Sequence, residues 1–352
     1  MRKTSTWLAD GRELFYYDTD DDVVRSAVDR RSLSPMTAVS EIRYDRLLGD
    51  AVAVAPHRQG RTYHPPSDEC PFCSSRGGQQ SEIPDADYAV TVFENRFPSL
   101  VGDSGRCEIV CFTSDHHARF ADLTVEQAAL VVEAWTDRTA ELSKLPMIRQ
   151  VFCYENRGAE IGVTLDHPHG QIYGYPFVAP STALMLRSAA EYRMTTGRNL
   201  FDEVVASEQE EGTRVVLEGD YWVSFVPYAA RWPYEVHLYP KQRVRDLRGL
   251  GGDARAEFSS MYLELLRRFD RIFDSCESPT PYISALHQAP FTEPGKAEGA
   301  EGDFALHLEL FTIRREADKL KFFAGSEAGV GVFVNDVLPE AAAERIREVA
   351  SC

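Results

Sequence analysis

An internal repeat sets the strongest limit on the folds open to this chain, because the same succession of patterns occurs in each half of its 352 residues. Each copy has two strand-like apolar runs, a stretch with helical spacing, a further strand-like run and a strand that carries histidines. Most of the strand-like runs are separated by short loops, which favours antiparallel pairing of neighbours. We therefore predict an α+β fold of two tandem modules, with a mostly antiparallel sheet and helices packed against it.

Five segments correspond between the two copies. They are residues 88–93, 108–112, 124–145, 147–154 and 167–173 in the first copy, and 221–227, 236–240, a helix beginning near Asp253, 281–287 and 304–310 in the second. Thr124 and Gln127 form a capping-box pattern at the start of the first helix. The domain limits predicted from this repeat are an N-terminal arm (1–41) with little core of its own, a first module (42–180), a linker (181–215) and a second module with the C-terminal segment (216–352).

Charge and apolar patterning exclude two classes of partner. The 38 basic and 55 acidic residues give a net charge of -17, and a surface of that sign repels a phosphate backbone, so we expect no nucleic-acid partner. No apolar run reaches the length of about 18 residues that spans a membrane. The first ten residues lack the apolar stretch of a secretory signal, so we expect a cytoplasmic protein.

The segment that points most directly to chemistry is residues 155–171, which read ENRGAEIGVTLDHPHGQ. Residues two apart in a strand lie on one face, so His167 and His169 are expected to project to the same side. Gln171 continues this face and offers an amide donor that carries no titratable proton. Two imidazoles placed in this way can serve adjacent sites, one binding a metal and the other meeting a substrate.

A second motif, Cys70-Pro71-Phe72-Cys73, supplies two thiolates at the spacing of half a tetrahedral zinc site. In a reducing compartment such a pair is more often a metal or redox motif than a disulfide. A redox pair would be expected in a βαβ context, which the pattern lacks, and two ordinary buried cysteines are the other alternative. The missing ligands would be histidines from other segments, namely His167 and either His116 or His117.

In this order, the motifs resemble the galactose-1-phosphate uridylyltransferases, a branch of the histidine-triad superfamily. The resemblance extends from about residue 42 to the end, and its most specific part is the segment from His167 to Gln171. It implies a tandem duplication of histidine-triad-like modules and a two-step transfer of UMP from UDP-glucose to galactose 1-phosphate. A related nucleotidyltransferase or phosphorylase that acts on another nucleotide or sugar phosphate is one alternative, and a non-catalytic, zinc-stabilised nucleotide-binding protein is another.

Carried over position by position, the resemblance also implies roles for individual residues. His169 would be the nucleophile that holds UMP as a phosphoramidate, and Gln171 would donate to a phosphoryl oxygen. The implied zinc ligands are Cys70, Cys73, His116 and His167. The implied substrate contacts are Arg58, Arg61, Asn95, Arg96, Asn156, Thr164, Gln171, Lys321, Phe322, Ser326 and Glu327. The last four match a segment that acts in the neighbouring subunit of the family, so the resemblance implies a homodimer.

The chain departs from the family pattern at several positions. Arg96 stands where an acidic residue is frequent, and Ser326 stands where the family has a tyrosine, which removes a ring from the hexose-binding segment. Some members have a second metal site, for iron or zinc, to which His287, His307 and Glu309 correspond, with Glu309 in the place of a third histidine. These three side chains either bind a metal or form a hydrogen-bonded His–Glu pair, and both alternatives stay open.

Overall fold

The computed structural model describes residues 1–61, 63–76, 78–273, 279–292 and 300–350. Their contacts divide the chain into two compact units. Unit 1 is built from residues within 1–153, 164–183 and 290–297, and unit 2 from residues within 154–163, 184–289 and 298–352. The units alternate along the chain, so the domain limits drawn from the repeat stay a prediction.

The described residues form strands and helices with the following bounds. The strands are β1 (Arg2–Trp7), β2 (Glu13–Asp18), β3 (Glu41–Asp45), β4 (Asp50–Val54), β5 (Val90–Glu94), β6 (Arg106–Cys111), β7 (Gln150–Arg157), β8 (His169–Tyr175), β9 (Val215–Glu218), β10 (Trp222–Phe225), β11 (Tyr234–Pro240), β12 (Tyr282–His287), β13 (His307–Thr312), β14 (Arg314–Glu316) and β15 (Lys319–Leu320). The helices are α1 (Val125–Leu142), α2 (Pro180–Thr196), α3 (Leu200–Glu211), α4 (Gly252–Phe269), α5 (Gly325–Val330) and α6 (Pro339–Glu348).

The strand order within each unit confirms the predicted duplication. In unit 1 the antiparallel order is β1-β2-β5-β6-β8, and β7, whose residues up to Cys153 belong to this unit, lies beside β8. In unit 2 the antiparallel order is β12-β13-β11-β10-β9. The repeated strands therefore run β5-β6-β8-β7 in one unit and β10-β11-β13-β12 in the other. In both units the fourth strand of the copy lies between the second and the third. The pairings are antiparallel and the chain also contains helices, which confirms the predicted α+β fold with a mostly antiparallel sheet.

The predicted helix of each copy is present, as α1 and α4. The capping box at the start of α1 is confirmed: the Gln127 N–H donates to Thr124 Oγ1 at 3.2 Å, and the Thr124 N–H donates to Gln127 Oε1 at 2.9 Å. Side chains at helical spacing, including Val131 and Trp135, are buried along α1, which contacts β2 and β5. Burial of this apolar stripe fixes the helix on the sheet.

The expectation that the N-terminal arm has little core of its own is wrong for its first eighteen residues. They form β1 and β2, and β2 pairs with β5, which buries Leu14, Tyr16 and Tyr17 completely or almost so. The reason is tertiary, because β2 is buried by pairing with β5, more than seventy positions along the chain, and by contact with α1. The predicted hairpin between residues 42 and 55 is confirmed as β3 paired with β4. The segment predicted as a linker contains α2 and α3.

Among the described helices, none combines the length and the apolar character that crossing a lipid bilayer requires.

Candidate active site and metal centre

Strand β8 begins at His169 and places His169 and Gln171 on one face. His169 lies opposite Cys111, and Gln171 lies opposite Ile109, on the neighbouring strand β6. Directly opposed residues in an antiparallel pair point to the same side of the sheet, so these four side chains share a face. The prediction that His167 belongs to the same strand is wrong. Pro168, which follows His167, has no N–H to contribute to the hydrogen-bond ladder, and the strand starts at His169.

The proton on the His169 ring is placed by the backbone. Its Nδ1 atom lies 2.7 Å from the carbonyl oxygen of His167. A carbonyl oxygen only accepts hydrogen bonds, so Nδ1 carries the proton and Nε2 keeps a lone pair. Burial lowers the pKa of His169, which keeps the ring neutral near pH 7. The rings of His169 and Phe72 meet in an edge-to-face arrangement, with 5.0 Å between their centroids. This arrangement leaves His169 with one nucleophilic nitrogen in a fixed orientation.

Four predicted metal ligands from three segments converge in unit 1. One ligand atom from each of Cys70, Cys73, His116 and His167 lies within 4.8 Å of all the others. Cys73 Sγ is 3.3 Å from His116 Nδ1 and 3.6 Å from His167 Nδ1. The group contains His116 and not His117, which are the two alternatives that the sequence left open. Two thiols and two imidazoles at this spacing match the donor set of a tetrahedral zinc site.

Hydrogen bonds around the cluster prepare His167 for this role. Its Nε2 is 2.9 Å from the Thr113 carbonyl oxygen and 2.7 Å from the Tyr88 hydroxyl, which itself donates to the Phe72 carbonyl oxygen at 2.8 Å. Nε2 therefore carries the ring proton, and the Nδ1 lone pair faces Cys73. Outer contacts of this kind orient the histidine ligands of metals. Burial lowers the pKa of His167 to about 3, so this imidazole is neutral.

The thiol chemistry also fits a bound cation. Burial and the adjacent Cys70 raise the pKa of the Cys73 thiol to about 12. A divalent metal ion reverses this balance, because a coordinated thiol loses its proton. The residues present thus fit the metal that the resemblance implies.

The predicted phosphate-binding arginines lie in a turn that follows β4. Arg58 donates from Nη1 to the Phe97 carbonyl oxygen at 2.6 Å, which holds this turn against the loop that contains Asn95 and Arg96. Arg58 and Arg61 line a cavity of about 740 Å³. Arg58 also lines a cavity of about 530 Å³ with Tyr173, which is the next residue after Gln171 on the same face of β8. The structure therefore brings Arg58 to the face that carries His169.

Asn95 and Thr164 are also located in unit 1. The Asn95 N–H donates to the Cys107 carbonyl oxygen at 2.9 Å, and Cys107 lies opposite Tyr173 on β8. The Asn95 amide oxygen accepts from the Phe97 N–H at 2.8 Å, which fixes the side chain. Thr164, three residues before His167, accepts a hydrogen bond on its carbonyl oxygen from the His64 N–H at 2.9 Å.

The remaining predicted contacts lie in unit 2. Asn156 is on β7, between Glu155, whose pKa is raised to about 7 by burial, and Arg157, whose guanidinium contacts Asp270. Lys321 Nζ lies 2.8 Å from Glu327 Oε1, so these two residues form a buried ion pair. The hydroxyl of Ser326 donates to the Val332 carbonyl oxygen at 2.7 Å, and Phe322 is largely exposed.

A second cluster in unit 2 brings together the residues suggested for another metal. Glu309 Oε2 is 3.3 Å from His287 Nε2, and Glu309 Oε1 is 3.6 Å from His307 Nε2. The sequence reasoning missed His237, whose Nε2 lies 2.8 Å from Glu235 Oε1 and 3.8 Å from Glu309 Oε1. His237 lies opposite Glu309 in the pairing of β11 with β13. Because 72 positions separate His237 from Glu309, no local pattern signals this contact.

Comparisons with known proteins show which family the chain resembles over its length. Residues 101–179 match the family model of the galactose-1-phosphate uridyl transferase N-terminal domain, and residues 185–352 match that of the C-terminal domain. The chain is 61% identical to the galactose-1-phosphate uridylyltransferase of Streptomyces lividans, over 99% of this chain and 98% of that protein. It is 36% identical to the protein of the same name from Thermotoga maritima, over 88% of this chain and 98% of that protein.

A solved structure titled as that of a uridylyltransferase superposes with a TM-score of 0.76 and 29% identity, covering 88% of this chain and 98% of that one. Both domain models match in order, and the Streptomyces relative aligns over almost the full length of both chains. The chain therefore belongs to the galactose-1-phosphate uridylyltransferase family.

Proposed function

We propose that this chain transfers a uridylyl group from UDP-glucose to galactose 1-phosphate by way of a uridylyl-histidine at His169. The observation that carries the proposal is the contact of His169 Nδ1 with the His167 carbonyl oxygen, which leaves the Nε2 lone pair as the reactive position. Family membership supplies the reaction class, since the relatives are named for uridylyl transfer to galactose 1-phosphate.

In the first step, His169 Nε2 attacks the α-phosphorus of UDP-glucose. The N–P bond forms as the bond from phosphorus to the bridging oxygen breaks, and glucose 1-phosphate leaves with the electron pair. The leaving group is a stable anion, so no strong general acid is needed. Because His169 starts neutral, no separate base is needed to activate it.

In the second step, a phosphate oxygen of galactose 1-phosphate attacks the same phosphorus and the N–P bond breaks. UDP-galactose leaves, and His169 returns to its neutral form. Gln171, two residues along the same face, is proposed to donate its amide N–H to a phosphoryl oxygen as charge develops. Arg58, Arg61, Arg96 and Lys321 are the proposed local cations that offset the acidic surface, and Asn95, Asn156 and Thr164 are proposed to contact the nucleotide. For the hexose-binding segment we propose Phe322, Ser326 and Glu327.

We propose zinc for the site of Cys70, Cys73, His116 and His167, on the basis of its two sulfur and two nitrogen donors. A bound zinc ion would hold the N-terminal cysteine loop to the segment that precedes His169, which is a positioning role. We also propose a homodimer, which the family resemblance implies, and a cytoplasmic location.

For the cluster of His287, His307 and Glu309, two arrangements are proposed as alternatives. Either the three side chains bind a second metal ion, iron or zinc, or Glu309 serves as the shared acceptor of the surrounding imidazoles. Metal analysis of the purified protein separates them, because two equivalents per chain favour the first and one equivalent favours the second.

The central experiment is incubation with UDP-glucose labelled in the uridine, without an acceptor. We expect one labelled UMP per chain, bound through an acid-labile phosphoramidate, and none on the variant His169→Gly. The adduct should be discharged by galactose 1-phosphate to yield UDP-galactose. Discharge by inorganic phosphate alone would indicate a phosphorylase instead, and a wild-type protein that acquires no nucleotide would contradict the proposal.

A further inference from the structure

Glu82 is a buried carboxylate that three arginines surround. It is 3% exposed, and its carboxylate contacts Arg12 Nη2, Arg31 Nη1 at 3.0 Å and Arg96 Nη1 at 3.7 Å. A carboxylate removed from water needs such partners, since an unpaired buried charge is strongly destabilising. Two of the three arginines, Arg12 and Arg31, come from the first 31 residues of the chain.

These two arginines are themselves held in place. Arg12, 1% exposed, also contacts Asp10 Oδ2 through Nε at 2.8 Å and the Glu94 carbonyl oxygen through Nη1 at 2.8 Å. Arg31 makes two contacts with the carboxylate of Asp29, at 2.9 and 2.7 Å. The N-terminal segment therefore presents two fixed guanidinium groups to Glu82. Arg31 contacts it in bidentate geometry, with Nη1 3.0 Å from Oε1 and Nη2 3.3 Å from Oε2, and Arg12 contacts it through Nη2.

The backbone at Glu82 is attached to the cysteine loop. The Glu82 N–H donates to the carbonyl oxygen of Pro71, which lies between Cys70 and Cys73, at 3.0 Å. The neighbouring Ser81 hydroxyl donates to the Cys73 carbonyl oxygen at 2.5 Å. Both halves of the Cys-Pro-Phe-Cys loop are thus fixed to the residue pair that the N-terminal arginines hold.

Apolar packing gives a second, independent connection. Leu8, Leu14 and Tyr16 of the N-terminal segment belong to the same buried cluster as Cys70 and Phe72. Cys73 packs against the edge of this cluster. The side chains beneath the loop therefore also come from the segment that pairs as β1 and β2.

We infer that the N-terminal segment is a structural part of the metal centre, with Arg12 and Glu82 as positioning residues for Cys70 and Cys73. This inference rests on the proposed metal site. Removing either charge takes one buried ion-pair contact from its partner and loosens the attachment of the loop at Glu82. The thiol ligands then lose their fixed orientation, and the metal dissociates faster.

The test measures zinc release from the full-length, zinc-loaded protein into an excess of a chromogenic chelator, together with the free energy of unfolding. We expect Arg12→Gln and Glu82→Gln to release zinc on the order of tenfold faster than the wild type. Arg12→Lys should recover part of the difference because it keeps the charge. The control is Arg138→Gln, which breaks another buried ion pair, with Glu108 on β6, and should lower stability without accelerating release.

Wild-type release rates in both Arg12→Gln and Glu82→Gln would overturn the inference, as would an equal acceleration in Arg138→Gln, since loss of stability would then explain the effect. If Arg12→Gln does not fold, Glu82→Gln decides, because its amide keeps the shape of the carboxylate. A wild-type protein that takes up no zinc would also overturn it. The proposed function is judged separately, by the UMP adduct on His169.

Discussion

At the scale of single residues, the chemistry depends on which nitrogen of His169 carries the proton. The carbonyl oxygen of His167 decides this, and the same residue turns its own Nδ1 toward Cys73. His167 therefore makes two separate contacts, one to His169 through its backbone and one to Cys73 through its side chain. A substitution at Gln171 removes its side-chain amide donor and leaves the contact between His169 Nδ1 and the His167 carbonyl oxygen in place. It therefore tests the proposed contribution of that donor.

For Gln171→Ala we expect kcat to fall by a factor of about 10² while the zinc content stays unchanged, because one preorganised donor to the phosphoryl oxygens is lost. Steady-state kinetics with UDP-glucose and galactose 1-phosphate measure the effect. Labelled UMP should still accumulate on His169, only more slowly. An unchanged kcat would remove Gln171 from the proposed mechanism.

At the scale of elements, α1 is joined to the sheet by a buried ion pair as well as by its apolar stripe. Arg138 on α1 contacts both carboxylate oxygens of Glu108 on β6, at 2.9 and 2.8 Å. Arg106 Nε lies 3.2 Å from the same carboxylate. Burial alone would raise the pKa of Glu108, but the two arginines outweigh it and lower the pKa below 4.5.

This shift predicts how stability depends on pH. Above about pH 4.5, Glu108 is ionised in both the folded and the unfolded state, and its full contribution to the free energy of unfolding is present. Below that pH the unfolded chain binds a proton before the folded protein does, so this contribution is progressively lost. We expect Glu108→Gln to lower the free energy of unfolding by about 3–5 kcal/mol at pH 7. It should also make the decline of stability in acid shallower. Denaturant unfolding between pH 3 and pH 7 measures both effects, and the exposed Asp103→Asn is the control that should change neither.

At the scale of the whole molecule, the proposed metal joins segments that the chain keeps far apart. Cys70 and Cys73, His116 and His167 span almost one hundred positions, and their ligand atoms meet within 4.8 Å. A ligand that binds only the folded state stabilises it by mass action. A bound metal ion would therefore couple the cysteine loop, the segment that contains His116 and the residues that precede β8.

Removal of zinc by a chelator is expected to lower the free energy of unfolding by about 4 kcal/mol, relative to protein with free zinc at about a thousand times its Kd. Thermal unfolding with and without added zinc measures the change, which zinc but not magnesium should reverse. The double variant Cys70→Ser with Cys73→Ser serves as the control and should not respond to either treatment. A wild-type midpoint that is insensitive to chelation would argue against a structural metal.

The repeated order of elements, the capping box at Thr124 and the histidine segment could all be predicted from the amino-acid sequence, because they depend on local periodicity and on side-chain chemistry. Three other features became apparent only in the fold: β2 pairs with β5, Arg12 and Arg31 contact Glu82, and His237 lies opposite Glu309. Such contacts join residues about 50 to 80 positions apart, so their free energy comes from packing and charge pairing after the strands assemble. No pattern within a short window of the sequence encodes them.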